Sequence, residues 1–129
     1  MIVLKGRAIW SGWARGEALV SNQPISFYGG VDPETGKIIE KGHELEGRSL
    51  AGKILVFPYG KGSTVGSYII LRLKKRGIAP KAMVNIRCEP IIAVGAIIAE
   101  IPTIDRIEVS IIKDGDLLEV DGATLKIYR

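Results

Sequence analysis

One serine and one lysine sit among glycines in KILVFPYGKGSTVGSYIILRLKKRG, residues 53–77, between an apolar run and a helical pattern. Such a loop can hold an anion or present a nucleophile. Three established glycine motifs fail on spacing. A P-loop requires Gly-Lys-Ser/Thr, but Lys61 is followed by Gly62. A dinucleotide fingerprint requires G-x-G-x-x-G, and Gly66 comes one residue late after Gly60 and Gly62. A hydrolase elbow requires G-x-S-x-G, whereas Gly62 directly precedes Ser63.

What remains is a serine at the entrance to a helix, where backbone N–H groups are free and the dipole favours negative charge. Ser63 in that position can be an N-cap, an anion ligand or an alkoxide that takes a proton. The last role requires N–H donors together with a nearby Lys or Arg, because an unassisted serine is far too weak a base at neutral pH.

The elements around the loop follow from local pattern. KILVF, between Gly52 and Pro58, predicts a buried strand. Ser63 or Thr64 can cap a helix carrying Val65, Tyr68, Ile69 and Leu73 on one face and stopping at Gly77. KAMVNI (81–86) predicts another strand, and Pro90 the first position of a second helix running to Pro102. Residues 2–21 read as β-rich, with turns at Gly6, Gly12 and Gly16 and a strand at GEALVS. PISFYGGVDPETGKII carries turn chemistry in its middle, with Gly29 and Gly30 supplying positive φ and Asp32-Pro33 favouring a turn. Asp121-Gly122 predicts a C-terminal hairpin. The expectation is a mixed α/β chain, β-rich at both ends with two central helices.

At 129 residues, without low-complexity or repeated segments, the chain reads as a single domain over 1–129. Its longest apolar run, IIAVGAIIA, is about half of the roughly 20 residues a membrane-spanning helix requires. Lys5 and Arg7 interrupt the N-terminal apolar start, so no signal peptide is expected. A lone cysteine, Cys88, makes a reduced cytoplasmic setting the default and reads as a small buried hydrophobe. Few amides and many isoleucines hint at a thermophilic source. The net charge of +4 permits an anionic substrate or acidic partner. The basic cluster Arg72, Lys74, Lys75 and Arg76 falls in the last helical turn, where it complements the dipole. Without a broad basic face or interleaved aromatics, nucleic-acid binding is not expected. His43, among acidic neighbours in EKGHELEG, reads as a surface histidine. Trp10 and Trp13 read either as core or as partner-facing. Cys88 and His43 are single and far apart, so no metal-ligand set is expected.

The blocks GEALVS (16–21), ISFYGGVDPETGKI (25–38), LAGKILVFPYGKGSTVGSYIIL (50–71) and AVGAIIAEIP (93–102) resemble, in order and over nearly the whole chain, the small swivel-domain subunit of aconitase-X-type dehydratases. Within the family they are closest to the archaeal branch acting on mevalonate 5-phosphate. The resemblance implies a swivelling β/β/α domain with no cofactor of its own, paired as a heterodimer with a large subunit that carries a four-iron, four-sulfur cluster. It implies a hydro-lyase that dehydrates mevalonate 5-phosphate to an anhydromevalonate phosphate in isoprenoid biosynthesis, inactive without the large subunit. Ser63 matches the family's proton-abstracting serine. Lys61, Gly62 and the amides of Thr64 and Val65 would then surround the substrate, with a solvated Lys61 as the alternative. Ser67 reads as a packing or backbone-bonded residue. Gly29, Gly30 and Asp32 either shape a β-turn or line the interface or cleft.

Other readings stay open on the residues alone. A related hydroxy-acid or hydroxyproline dehydratase would use the same architecture. A phosphohistidine carrier would require a histidine at the helix start, where His43 does not lie. A free-standing phosphate-binding module would use the 58–66 loop with Ser63 as cap and ligand.

Overall fold

The computed structural model describes residues 1–129. Ten strands and three helices follow in the order β1 (Ile2–Lys5), β2 (Arg7–Trp10), β3 (Trp13–Val20), β4 (Ile25–Ser26), α1 (Phe27–Gly30), β5 (Ile54–Val56), β6 (Gly60–Lys61), α2 (Gly66–Lys75), β7 (Ala82–Val84), α3 (Pro90–Ala99), β8 (Thr103–Asp105), β9 (Leu117–Asp121) and β10 (Thr124–Tyr128). Eight strands form one sheet ordered β1-β10-β9-β3-β5-β7-β8-β2, and β4 pairs with β6 separately. The two edge strands, β1 and β2, are consecutive in the chain with only Gly6 between them, so the sheet curls until it nearly closes. Gly6 permits that closure: a Cβ there would stand 2.3 Å from the Asp105 carbonyl oxygen.

Strands β3, β5, β7 and β8 run parallel, with α2 linking β5 to β7 and α3 linking β7 to β8. Period-two alternation divides their side chains between two cores. Leu55 and Met83 pack with Ile70, Leu73, Ile92 and Ala96 beneath the helices. Ile54, Val56, Ala82 and Val84 point the other way and pack with Val120, Leu125 and Ile127 inside the curled sheet. Each of β5, β7 and β8 is buried throughout, as parallel strands covered on both faces must be.

The mixed α/β expectation, β-rich at both ends, agrees with this architecture, and the hairpin at Asp121-Gly122 forms with Gly122 at φ +60°. Several local expectations change. Gly16 lies inside β3 and makes no turn, because pairing with β9 carries the strand straight through it. Part of the glycine loop is strand: Gly60 and Lys61 pair in parallel with Ile25 and Ser26. Of the two adjacent glycines, Gly29 takes positive φ, at +85°, and Gly30 does not. The helix at Pro90 forms but ends at Ala99, where Glu100 adopts the left-handed conformation at φ +54°. No helix is long and apolar enough to cross a membrane.

Candidate active site

The loop that follows β5 is fixed from below before it reaches the surface. Asn85 is buried, and its side-chain amide donates to the Phe57 carbonyl at 3.0 Å. The N–H groups of Ile86 and Arg87 both donate to the Pro58 carbonyl, and the Arg87 guanidinium lies 5.5 Å from the centre of the Tyr59 ring. Strand β6 then carries the chain past Ser26 to Gly62. There φ is +92°, and a Cβ would stand 2.5 Å from the Ser26 hydroxyl oxygen. Only glycine satisfies both conditions.

Ser63 emerges exposed from this turn. Its Oγ accepts a hydrogen bond from the Val65 N–H at 3.2 Å, and its carbonyl accepts from the Gly66 N–H at 2.9 Å. Ser63 therefore closes a turn ahead of the helix and, against expectation, neither it nor Thr64 is the helix N-cap. Regular helix begins at Gly66, with Val65 at the cap position. The N–H groups of Ser63 and Thr64 donate to no acceptor within the protein, and both residues are exposed ahead of the positive end of α2. One expected donor, Val65, thus reaches the serine oxygen, and the Thr64 amide stays free for a ligand.

Lys61 does not stand free. Its Nζ lies 2.9 Å from the Glu40 carboxylate, and both side chains are partly exposed. Together they border an open cleft that also includes Gly62, Gly29 and Gly30, so residues from two separated sequence blocks meet there. Ser26 and Tyr28 line it too. Asp32 is not among the lining residues. Its carboxylate accepts from the Glu34 N–H at 2.9 Å and its carbonyl from the Gly36 N–H, which builds the 32–36 turn. Thr64 lines a neighbouring cleft with Tyr68, Ile91 and Val94. Ser67 is backbone-bonded: its hydroxyl donates to the Ile91 carbonyl at 2.6 Å and ties α2 to α3.

Sequence reasoning missed Ser26, Glu40 and Glu89. Ser26 lies within a block already singled out, but nothing local places its hydroxyl against Gly62. Glu89 does carry a signal, an acidic residue immediately before the N1 proline. Its carboxylate accepts from the Ile91 and Ile92 N–H groups and caps α3.

His43, expected at the surface, lies inside. It is buried, 7% exposed, with Nδ1 accepting from the Leu45 N–H and Nε2 3.1 Å from the Pro24 carbonyl. That pattern places the ring proton on Nε2. The acidic neighbours that made His43 read as a surface residue turn outward: Glu44 accepts from the Asn22 N–H and the Ser21 hydroxyl, and the Asn22 hydrogen bond leads the causes that hold its carboxyl below the usual range. Trp10 packs partly buried against the core, and Trp13 is exposed.

No three His, Cys, Asp or Glu side chains come together to hold a metal. Cys88 is half-buried, and burial, reinforced by Asp105 and Glu89, pushes its thiol up to about 12. A cysteine held as a thiol, with no second ligand beside it, does not fit an iron–sulfur cluster.

The family model for the aconitase X swivel domain matches residues 3–127. The phosphomevalonate dehydratase small subunit of Methanosarcina acetivorans is 57% identical over 125 residues, covering 95% of this chain and 87% of that protein. The protein of the same name from Methanocella arvoryzae is 60% identical over 122 residues, covering 92% of each. Among solved structures, holo-form aconitase X of Thermococcus kodakaraensis superposes with a TM-score of 0.98 at 50% identity, covering all of both chains. The 3-isopropylmalate dehydratase of Methanocaldococcus jannaschii gives a TM-score of 0.63 at 18% identity, covering 91% of this chain and 82% of its own, and so shares the fold. With a glycine-gated serine at the mouth of α2 and a family match spanning nearly every residue, the chain belongs to the aconitase X swivel-domain family.

Proposed function

We propose that this chain is the small subunit of a phosphomevalonate dehydratase. It acts with a large subunit to remove water from mevalonate 5-phosphate, giving trans-anhydromevalonate 5-phosphate. The names of the similar proteins support the substrate and the partner. The observation that carries the chain's own part is the setting of Ser63: exposed, its oxygen held by the Val65 N–H, with two unpaired amides beside it.

In this reading the iron–sulfur cluster belongs to the large subunit, since this chain has no ligand set that fits one. Ser63, as its alkoxide, takes the proton from the carbon next to the one bearing the hydroxyl. The C–H electron pair becomes the double bond while the C–O bond breaks. The departing hydroxide leaves as water once it gains a proton, and the proton held by Ser63 passes on to regenerate the alkoxide. The Val65 N–H and the positive end of α2 favour the ionised oxygen. Lys61 offers a cation for the substrate's carboxylate or phosphate on exchanging its bond with Glu40.

The test is dehydration of mevalonate 5-phosphate under anaerobic conditions by the chain co-purified with its large subunit. Ser63→Ala is expected to lower kcat by about 100-fold or more, the usual scale for removing a general base, with assembly and cluster content unchanged. Undiminished turnover would leave Ser63 as a turn-forming residue and move the base to the partner. No turnover by an intact wild-type complex would show the substrate to be wrong.

A further inference from the structure

Helix α3 has no charged residue from Pro90 to Ala99 and is apolar all round. Its inner face, Ile92, Gly95, Ala96 and Ala99, is buried against α2 and the sheet. Its outer face is not covered: Val94, Ile97 and Ile98 are 45%, 47% and 38% exposed. A helix of this composition is ordinarily enclosed on every side. The neighbouring helix shows the contrast, since α2 carries Arg72, Lys75 and Arg76 on its outer side.

The bare stripe continues beyond α3. Val94 shares a cleft with Tyr68 of α2 and with Thr64, the residue after Ser63, and Tyr68 and Val65 are themselves 66% and 43% exposed. Val65, Tyr68, Val94, Ile97 and Ile98 together expose an area on the order of 400 Å², within the range of the largest apolar patch on a single chain, which is often a functional one. That is about half of the ~800 Å² that one partner contributes to a standard interface, so the two clefts flanking Ser63 in the chain, one with Lys61 and Gly62 and one with Thr64 and Ile91, must supply much of the rest.

We propose that this stripe, the outer face of α3 continued over Tyr68 and Val65, is the surface on which the large subunit seats. The inference rests on the small-subunit reading above. The stripe runs directly up to Ser63, and a partner that completes the reaction at Ser63 must cover the residues beside it. Charge narrows what that partner presents. At Tyr68 the stripe meets Lys75 and the two arginines Arg72 and Arg76, which share Glu34, so the matching face is apolar with acidic residues along that edge.

The experiment uses the separately purified large subunit and measures its binding to wild type, Val94→Glu, Ile98→Glu and a control, Val3→Glu, on the exposed side of β1. Both α3 variants are expected to raise Kd at least about 100-fold while keeping the circular dichroism and melting temperature of wild type, and the control is expected to bind normally. Hydroxyl-radical footprinting of the wild-type chain gives a readout independent of any variant: oxidation of Tyr68, Ile97 and Ile98 should fall when the large subunit is added. Unchanged binding by both α3 variants, or unprotected side chains in a formed complex, overturns the inference. Self-association of the chain alone that Val94→Glu abolishes, with the heteromer intact, would assign the face to a second copy and overturn it as well. Wild type that binds no large subunit would overturn the small-subunit reading itself, an outcome separable from failure of the variants.

Discussion

Lys61 and Glu40, twenty-one residues apart in sequence, meet at 2.9 Å on the rim of the cleft beside Gly62. The cation nearest Ser63 in sequence therefore already has an anionic partner before any substrate arrives. An exposed pair of this kind contributes under about 1 kcal/mol, little enough for a ligand's phosphate or carboxylate to replace the glutamate. Lys61→Met is expected to raise KM for mevalonate 5-phosphate about tenfold with kcat nearly unchanged, as the loss of one charge-assisted hydrogen bond. The melting temperature should barely move. A loss confined to kcat, measured in steady-state kinetics of the complex, would speak against a binding role.

Gly62 is predicted to resist substitution for two separable reasons. Its φ of +92° disfavours any side chain, and a Cβ would press on the Ser26 hydroxyl. Gly62→Ala should cost about 1–3 kcal/mol of stability in urea denaturation. Combining it with Ser26→Gly should recover the steric part and leave the backbone part. Strict additivity in that double-mutant cycle would mean that the two residues do not meet.

Asp105 is 1% exposed and receives two hydrogen bonds from Arg7 and one from the Cys88 N–H. Burial alone would raise its pKa, but the Arg7 and Cys88 hydrogen bonds outweigh it and hold the carboxyl below its ordinary 3.8. A carboxyl depressed in the folded state adds stability above its unfolded pKa and loses it as pH falls through the folded value. Acid should therefore begin to remove this contribution below about pH 4, and it should be gone well below that. Asp105→Asn is expected to destabilise the fold at pH 7, because half-exposed Arg7 and the part-buried Cys88 N–H lose their charged acceptor, and to flatten the stability profile in that acid window. Denaturant titrations at several pH values measure both effects.

Cys88 should be chemically quiet while the fold holds. With its thiol pushed up to about 12, the thiolate fraction at pH 8 is very small. Alkylation by iodoacetamide is expected to be on the order of 100-fold or more slower in the native chain than in urea. Comparable rates in the two states, followed by mass spectrometry, would contradict the half-buried setting.

The site's local parts were legible from residue types. Strand β5, the glycine turn, the helix after it and the Pro90 start of α3 each depend on chemistry within a few residues, such as apolar runs, positive φ and caps. The turn in GGVDPETG was equally local, since the Asp32 carboxylate closes it against Glu34. His43 was misread for the opposite reason. Its ring is buried against a partner nineteen residues earlier, the Pro24 carbonyl, which no neighbouring side chain announces.

By itself, then, the sequence determined that a serine among glycines opens a helix, that β-type runs flank it at both ends, and, through its resemblance, which family it resembles. Only the tertiary structure decided which groups face that serine's loop. The parallel pairing of β4 with β6 brings Ser26 to Gly62, the pairing of Lys61 with Glu40 closes the cleft rim, and Gly6 lets the sheet curl so that its two edges belong to consecutive strands. Hydrogen-bond caps and turns act over three or four residues, so they can be written locally. Strand register and ion pairs join residues tens of positions apart, and they exist only once burial of the two cores has brought those residues together.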